Sequence, residues 1–195
     1  MKCILFIVFF MAGFLSVSAQ TYNEWIDKSF ECIESEDWTG AEKALIGALR
    51  VQPANPQNAL LLSNLGTIQR KMGKNDEALK SYTNALMITP RSVTLLMNRA
   101  ALFSEMEKFD DALKDYNQVL MLDDKEEDAL YLRGLIRLEK NDTTACRKDF
   151  EQLLKINPKG SNARIGLAAL MKLRGYYTEA IDLYTQVIRV NPEQT

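Results

Sequence analysis

The side chains that most often carry catalysis or bind metals are scarce in this chain of 195 residues. It contains no histidine, which excludes Ser-His-Asp and Cys-His catalysis and any histidine metal site. Beyond position 19 only Cys32 and Cys146 remain, too few for a structural zinc site. Glycine-rich phosphate loops of the G-x-G-x-x-G or G-x4-G-K-S/T type are missing. The sequence therefore predicts a protein that is not an enzyme and uses no cofactor and no metal.

Acidic residues are the remaining chemical class, and they are densest between Asp123 and Asp128. This run lacks the D-x-D-x-D-G spacing of a calcium-binding loop. Acids near the start of a helix interact favourably with the helix dipole, so we interpret the run as a helix N-terminus. The remaining catalytic alternative is an enzyme that works with carboxylates alone, as some glycan hydrolases do, but no pocket signal accompanies the acids.

The segment 1–19 has the three parts of a secretory signal peptide. Lys2 supplies a positive charge, and a nearly unbroken apolar run extends from Ile4 to Leu15. Val17 and Ala19 then offer small residues at positions −3 and −1 of a cleavage site before Gln20. We therefore expect an exported protein, either periplasmic or secreted.

An uncleaved membrane anchor is the alternative interpretation of this segment, although such a span usually needs about 20 apolar residues. Cys3 precedes the apolar run, so it does not fit a lipoprotein anchor. Without the segment the chain has 23 basic and 26 acidic residues, because only Lys2 is lost, and a net charge of −3. That balance favours neither nucleic acid nor an anionic membrane surface as partner.

The rest of the chain repeats itself at a nearly constant interval. The closing residues Pro53, Pro90, Asp124, Pro158 and Pro192 follow one another at sequence intervals of 37, 34, 34 and 34, and the longer first interval contains the turn-rich segment 54–58. If this closing residue is numbered position 32 of a unit, positions 8 and 20 are always small and position 24 is always large. Position 8 is Ser29, Gly66, Ala100, Gly134 and Ala168; position 20 is Ala41, Ala78, Ala112, Cys146 and Ala180; position 24 is Leu45, Tyr82, Tyr116, Phe150 and Tyr184.

This pattern predicts two antiparallel helices in each unit, because helices approach closely only where side chains are small and large ones fill the space beside the crossing. In the third unit the break between the helices is expected at 107–109. Asp37, Asn75 and the pair Asn141-Asp142 lie where second helices should begin, and each is expected to cap its helix. Glycines 73 and 175 are expected to relax the turns.

The unit resembles the tetratricopeptide repeat, whose signature runs W-x2-L-G-x2-Y, then A-x3-F, A and P. Asn64-Leu65-Gly66, Asp76-Glu77-Ala78, and Ala85 with Pro90 match it in the second unit. The resemblance covers Tyr22 to about Gln194. It implies an all-α, right-handed α-α superhelix, or solenoid, of about five helix-turn-helix units, approximately at 22–55, 59–92, 93–126, 127–160 and 161–194. It also implies a protein-interaction scaffold.

Some residues depart from the family pattern. Arg164 replaces a large residue at position 4, and Lys28, Arg99 and Arg133 replace leucine at position 7. We expect these side chains to be more exposed or to pack through their aliphatic stems. Trp25 stands where the family has its tryptophan and is expected in the core, whereas Trp38 could be core or surface.

The two cysteines beyond position 19 are too far apart in such a stack to form a disulfide. Cys32 falls in the first helix and Cys146 in the eighth. Neighbouring helices are about 8–10 Å apart, and a bridge needs Cα atoms within roughly 7 Å. We expect two buried, reduced thiols.

The resemblance implies that the first helices of successive units line a concave groove, mainly through positions 2, 5, 9 and 12, which accepts an extended peptide or a partner helix. The candidates for partner binding are Ile26, Phe30, Arg70, Met97, Tyr131, Leu135, Leu138, Ile165, Ala169 and Lys172. Five of them form an apolar cluster that either anchors an apolar segment of a partner or packs among its neighbours: Tyr131, Leu135, Leu138, Ile165 and Ala169.

Chaperone-binding members of the family grip a terminal carboxylate with Lys and Asn on one helix, Asn on the next, and Lys and Arg on a third. No three consecutive units of this chain supply that set. Asn64 and Asn98 match only the middle position. We conclude that the groove is not a carboxylate clamp.

The last helix carries an apolar face, whereas solenoids usually end in a polar capping helix. Ile181, Tyr184 and Ile188 are therefore candidates for self-association. Either another molecule covers part of this face, or the chain is a fragment of a longer protein. The alternative to a peptide-binding scaffold is accordingly a structural, self-assembling module that pairs through this face as a homodimer.

Overall fold

The computed structural model describes residues 20–190, which form ten α-helices and no strand. The helices are α1 (Tyr22–Glu34), α2 (Trp38–Val51), α3 (Asn58–Lys71), α4 (Asn75–Ile88), α5 (Val93–Glu105), α6 (Phe109–Leu122), α7 (Glu127–Glu139), α8 (Thr143–Ile156), α9 (Ser161–Leu173) and α10 (Tyr177–Val190). Within the described range, no helix has both the length and the apolar character needed to cross a membrane. The predicted signal peptide, residues 1–19, lies outside the described residues.

The helices pack in consecutive pairs, α1 with α2 through to α9 with α10, which we call repeats 1 to 5. The second helix of each pair also packs against the first helix of the next pair. The result is an all-α superhelical repeat fold with an elongated core, because each repeat buries its apolar face against its neighbours.

The turn inside every repeat contains one residue in the left-handed backbone region, always at position 15. These residues are Glu36, Gly73, Glu107, Asn141 and Gly175, with φ between 57° and 80°. The residue that follows donates its N–H to a carbonyl five positions back, as Lys74 does to Gln69 at 2.8 Å, which satisfies the end of the first helix. The prediction for the two glycines is thereby confirmed.

The start of the second helix is capped in only some repeats. Asp37 accepts a hydrogen bond from the Gly40 N–H at 2.9 Å, and Asp142 accepts one from the Ala145 N–H at 3.1 Å. Asn75, by contrast, is the first residue of α4, and its helix has no side-chain cap, so that expectation was wrong. The break in repeat 3 lies at 106–108, one residue earlier than expected.

The large residue at position 24 is the centre of the core. In repeats 1 to 4 its side chain is fully buried, whereas Tyr184 in repeat 5 is 37% exposed. Small residues make this burial sterically feasible: a Cβ added at Gly134 or at Gly166 would lie 2.5 Å from the Phe150 ring. Phe150 therefore lies against both its own first helix, α7, and the first helix of the next repeat, α9.

The departures at position 7 have an explanation that differs from the expected one. Arg99 donates to both carboxylate oxygens of Asp115 at 2.7 and 2.8 Å, and Arg133 does the same to Asp149 at 3.1 and 2.6 Å. Both aspartates are buried. The two arginines are half-buried with their charged ends directed into the repeat, which corrects the expectation of exposed or stem-packed side chains. Lys28 is exposed, as expected.

The arginine at position 4 of repeat 5 closes a loop. Arg164 donates to the carbonyls of Gly160 and Pro158 at 2.9 and 2.5 Å. It thereby satisfies backbone acceptors at the junction of α8 and α9, which a large apolar residue could not do.

The two described cysteines are free thiols, and only one of them is buried. Cys146 is fully buried, and burial raises the pKa of its thiol, which keeps it protonated. Cys32 is half-buried, so the expectation of two buried thiols was wrong for this residue. Trp25 and Trp38 are both half-buried against the core of repeats 1 and 2.

Candidate binding groove

The first helices α1, α3, α5, α7 and α9 carry all ten residues that the sequence assigned to partner binding. Only Phe30 and Lys172 are exposed. The other eight are half-buried: Ile26, Arg70, Met97, Tyr131, Leu135, Leu138, Ile165 and Ala169. The row therefore combines side chains that also belong to the core with a few that are free to contact a partner.

A pocket of about 290 Å³ opens at the N-terminal end of this row. Phe30, which is 50% exposed, forms one wall. On the other side the Lys71 ammonium lies 4.3 Å from the centroid of the Trp38 ring. The remaining lining residues are Ile33, Asn64, Thr67 and Ile68. The pocket thus offers an apolar surface with polar groups at its edge, the usual chemistry of a small side-chain pocket.

Tyr82 supplies a polar floor beside this pocket. Its ring is fully buried, but its hydroxyl forms a 3.0 Å hydrogen bond with the hydroxyl of Thr67, which lines the pocket. Thr67 is also anchored by its own helix, since its hydroxyl lies 3.1 Å from the Ser63 carbonyl oxygen. These bonds fix the position of the polar rim.

A charged pair follows next along the groove. Arg70 of α3 forms a two-pronged ion pair with Glu105 of α5, and one of its two bonds measures 2.8 Å. The hydrogen bond to Glu105 raises the pKa of Arg70 above its ordinary value. Both side chains remain partly exposed, at 32% and 48%. The pair ties repeat 2 to repeat 3, and its charges are already compensated, so it offers no free cation to a carboxylate.

A larger pocket of about 770 Å³ lies at the C-terminal end of the row. Among the predicted residues, Leu138, Ala169 and Lys172 line it. Tyr184 of α10 lines it too, although the sequence assigned that residue to a separate surface. The other lining residues are Glu139, Asn141, Leu173 and Tyr177. The groove and the face of α10 therefore meet at this pocket.

The apolar cluster at the C-terminal end of the groove is divided between core and pocket. Tyr131 and Leu135 pack against a core that contains Phe150, and the Tyr131 and Phe150 ring centroids are 6.3 Å apart. Burial raises the pKa of the Tyr131 hydroxyl. Leu138 packs against the same core but also lines the pocket. Of the two interpretations left open by the sequence, internal packing accounts for most of the Tyr131 and Leu135 contacts.

The face of α10 is the largest run of exposed apolar side chains among the described residues. Ile181 is 66% exposed and Ile188 is 52% exposed. Tyr177 continues the same face towards the helix start at 65% exposure. The three residues that the sequence selected for self-association therefore do share one exposed surface.

Sequence reasoning missed Trp38, Lys71 and Glu105 as groove residues. Trp38 and Lys71 lie outside the four positions that the family uses most, and Glu105 is one position beyond the end of its set. The pairing of Arg70 with Glu105 had a weak signal: the two residues are 35 apart, one more than the repeat length, which places them on neighbouring first helices.

Two family models described as tetratricopeptide repeat match the chain, at residues 61–94 and 97–161. A tetratricopeptide repeat protein from Parabacteroides merdae is 41% identical, with a TM-score of 0.85, and the match covers 89% of this chain and 68% of that one. MamA from Desulfovibrio magneticus is 16% identical, with a TM-score of 0.79 and coverage of 89% and 96%, a likeness of fold alone.

A shorter solved structure was determined with a peptide. The first TPR of Spaghetti (RPAP3), bound to the HSP90 peptide SRMEEVD, is 29% identical, with a TM-score of 0.57, and the match covers 62% of this chain and 96% of that one. A search of the curated proteins found no match.

Proposed function

Because the chain belongs to the tetratricopeptide repeat family, whose fold is typically a protein-interaction scaffold without enzymatic activity, we propose that it binds a peptide or helical segment of a partner protein in its groove. A peptide lies on a structural relative in the complex of Spaghetti with SRMEEVD. The partner of this chain is a protein that is exported with it.

The pocket at Phe30 is the observation that carries this proposal. Phe30 is a large apolar side chain that is half exposed, and it lies opposite a lysine and a tryptophan. Burying such a ring under a partner side chain removes apolar area from water and stabilises a complex. We therefore expect the bound segment to insert an aliphatic or aromatic side chain between Phe30 and Trp38.

Selection from a displayed peptide library on the purified protein tests this proposal. We expect enriched peptides to share one large apolar residue, and Phe30→Ala to weaken their binding about tenfold or more, as loss of an interface anchor does. Met87→Ala is the matched control, because Met87 is 77% exposed on α4, outside the row of first helices. Equal binding by wild type and Phe30→Ala would contradict the proposal.

The heptapeptide SRMEEVD sharpens the same test. The groove lacks the Lys, Asn and Arg set of a carboxylate clamp, and Arg70 is already paired with Glu105. We expect no measurable binding of this peptide by calorimetry under conditions in which the library peptides bind. Tight binding that disappears when the C-terminal carboxylate is amidated would show that a clamp exists.

Export is the second part of the proposal, and its basis is the sequence pattern of the segment 1–19. We expect the protein purified from its native cells to begin at Gln20. Intact-mass spectrometry checks this directly. A mass that includes residues 1–19 would contradict cleavage and favour the membrane-anchor alternative.

A further inference from the structure

The exposed face of α10 has the spacing of a helix-pairing seam. Tyr177, Ile181, Tyr184 and Ile188 follow one another at intervals of four, three and four residues, which places them on one side of the helix. All four are exposed. A soluble protein rarely leaves such a contiguous apolar patch uncovered unless something binds there.

The equivalent face of the earlier second helices is covered by the next repeat. Phe150, one repeat length before Tyr184, is fully buried, and Gly166 of α9 lies against its ring. Tyr116, one further repeat length back, is also fully buried. The face of α10 therefore continues the interface by which α4, α6 and α8 each receive the first helix of the following repeat.

The opposite end of the stack does not offer a complementary surface. Positions 3 and 10 of repeats 2 to 5 are buried apolar residues: Leu61, Leu95, Ala129 and Ala163, then Ile68, Leu102, Ile136 and Leu170. In repeat 1 the same positions are Glu24 and Glu31, both exposed. Lys28, between them, is exposed as well. A second copy that docked its α1 onto α10 would bury these charges against isoleucines, which is strongly unfavourable.

We propose that two copies of this chain associate through α10, face to face about a two-fold axis. An antiparallel pairing centred between Tyr184 and Thr185 places Ile181 of one copy opposite Ile188 of the other. The same pairing brings Asp182 near the partner's Arg189, so that charges of opposite sign flank the apolar seam. Such an interface is self-complementary and closed, so it yields a dimer and not a filament.

The dimer also bears on the groove. Tyr177 and Tyr184 line both the α10 face and the 770 Å³ pocket at the C-terminal end of the groove. A partner copy on α10 covers these tyrosines and completes one wall of that pocket. The N-terminal pocket at Phe30 lies in repeats 1 and 2, so peptide binding there does not depend on the dimer.

Sedimentation velocity over a range of concentrations tests the association. We expect the purified protein to sediment as a dimer, and Ile188→Glu to weaken dimerisation by about a hundredfold or more, because an unpaired carboxylate would enter an apolar seam. Ile188 is already exposed, so the variant should retain its circular dichroism and thermal midpoint. Met121→Glu, at a side chain 86% exposed on α6, is the matched control and should remain a dimer.

A cysteine at the axis tests the geometry. In a Cys32→Ser background, oxidation of Tyr184→Cys should give a covalent dimer and no larger species, whereas Glu31→Lys at the other end should leave dimerisation unchanged. A ladder of oligomers, or loss of association in Glu31→Lys, would show head-to-tail pairing and overturn the proposal. A monomer at every concentration would overturn it too, and would leave the face to a different partner or to a further repeat.

Discussion

Repeats 3 and 5 share the same helix-turn-helix arrangement but hold it together by different chemistry. Repeat 3 joins α5 to α6 through Arg99 and the buried Asp115, whereas repeat 5 has Leu167 and Leu183 at the same two positions. Position 24 also differs in its surroundings, since Tyr116 is fully buried and Tyr184 is partly exposed.

The difference shows that the position of a repeat in the stack, and not only its own sequence, decides how its residues are used. Arg99 bonds Asp115 and also reaches Thr83 of the preceding repeat at 3.3 Å. Arg133 likewise bonds Asp149 and reaches Asn117 at 2.8 Å. Internal repeats thus carry directional polar contacts to the previous repeat, whereas repeat 5 relies on apolar contact.

Truncation at position 24 should give the largest contrast. Tyr116→Ala removes a fully buried ring and is expected to lower the free energy of unfolding by about 3–5 kcal/mol. Tyr184→Ala, at a partly exposed site, should lower it by about 1 kcal/mol in the monomer. Urea denaturation measures both. Equal losses would mean that Tyr184 is as deeply buried in solution as Tyr116.

Removal of the acid from the buried pair should give the next largest effect. Asp115→Leu leaves Arg99 without its partner inside the repeat and is expected to lower the free energy of unfolding by about 3 kcal/mol. The Arg99 side chain is 20% exposed, so water relieves part of this penalty. Urea denaturation checks the value, with Asp111→Leu as a control, because Asp111 forms only an exposed pair with Lys114. A loss below that of the control would show that the pair is dispensable.

Replacement of both members of the pair converts repeat 3 to the chemistry of repeat 5. The double variant Arg99→Leu with Asp115→Leu should lie within about 1 kcal/mol of wild type, because an apolar pair avoids the desolvation of two charges. A double-mutant cycle by urea denaturation gives the coupling energy. If the double variant were as unstable as Asp115→Leu, the bond to Thr83 would be the more important contact.

The turn residue at position 15 should give the smallest effect. Glu107 in repeat 3 has φ 57°, whereas repeat 5 has Gly175 with φ 80°. Glu107→Gly removes left-handed strain but adds freedom to the unfolded chain, and we expect a net gain of about 0.5–1 kcal/mol. Gly175→Ala should change stability in the opposite direction by about 1 kcal/mol. Thermal unfolding of the two variants checks the signs, and a loss of stability in Glu107→Gly would show that the Glu107 side chain makes a stabilising contact.

The sequence by itself determined the family, the helical class and the turns. Small residues at positions 8 and 20 and a large one at position 24 recur because two helices cross closely at the same place in every unit. The left-handed turn was visible at Gly73 and Gly175, since glycine adopts that conformation readily. The same turn at Glu36 and Glu107 was not visible, because neither side chain signals it.

Only the tertiary structure decided which groove residues are free. Tyr131 and Phe30 occupy equivalent helices, yet Tyr131 packs against Phe150 while Phe30 is left half exposed beside Trp38. A repeat pattern specifies the face on which a side chain lies, but its exposure depends on the neighbouring repeats. For the same reason the arginines at position 7 looked like surface residues in the sequence, and the buried aspartates on the following helices gave them their role.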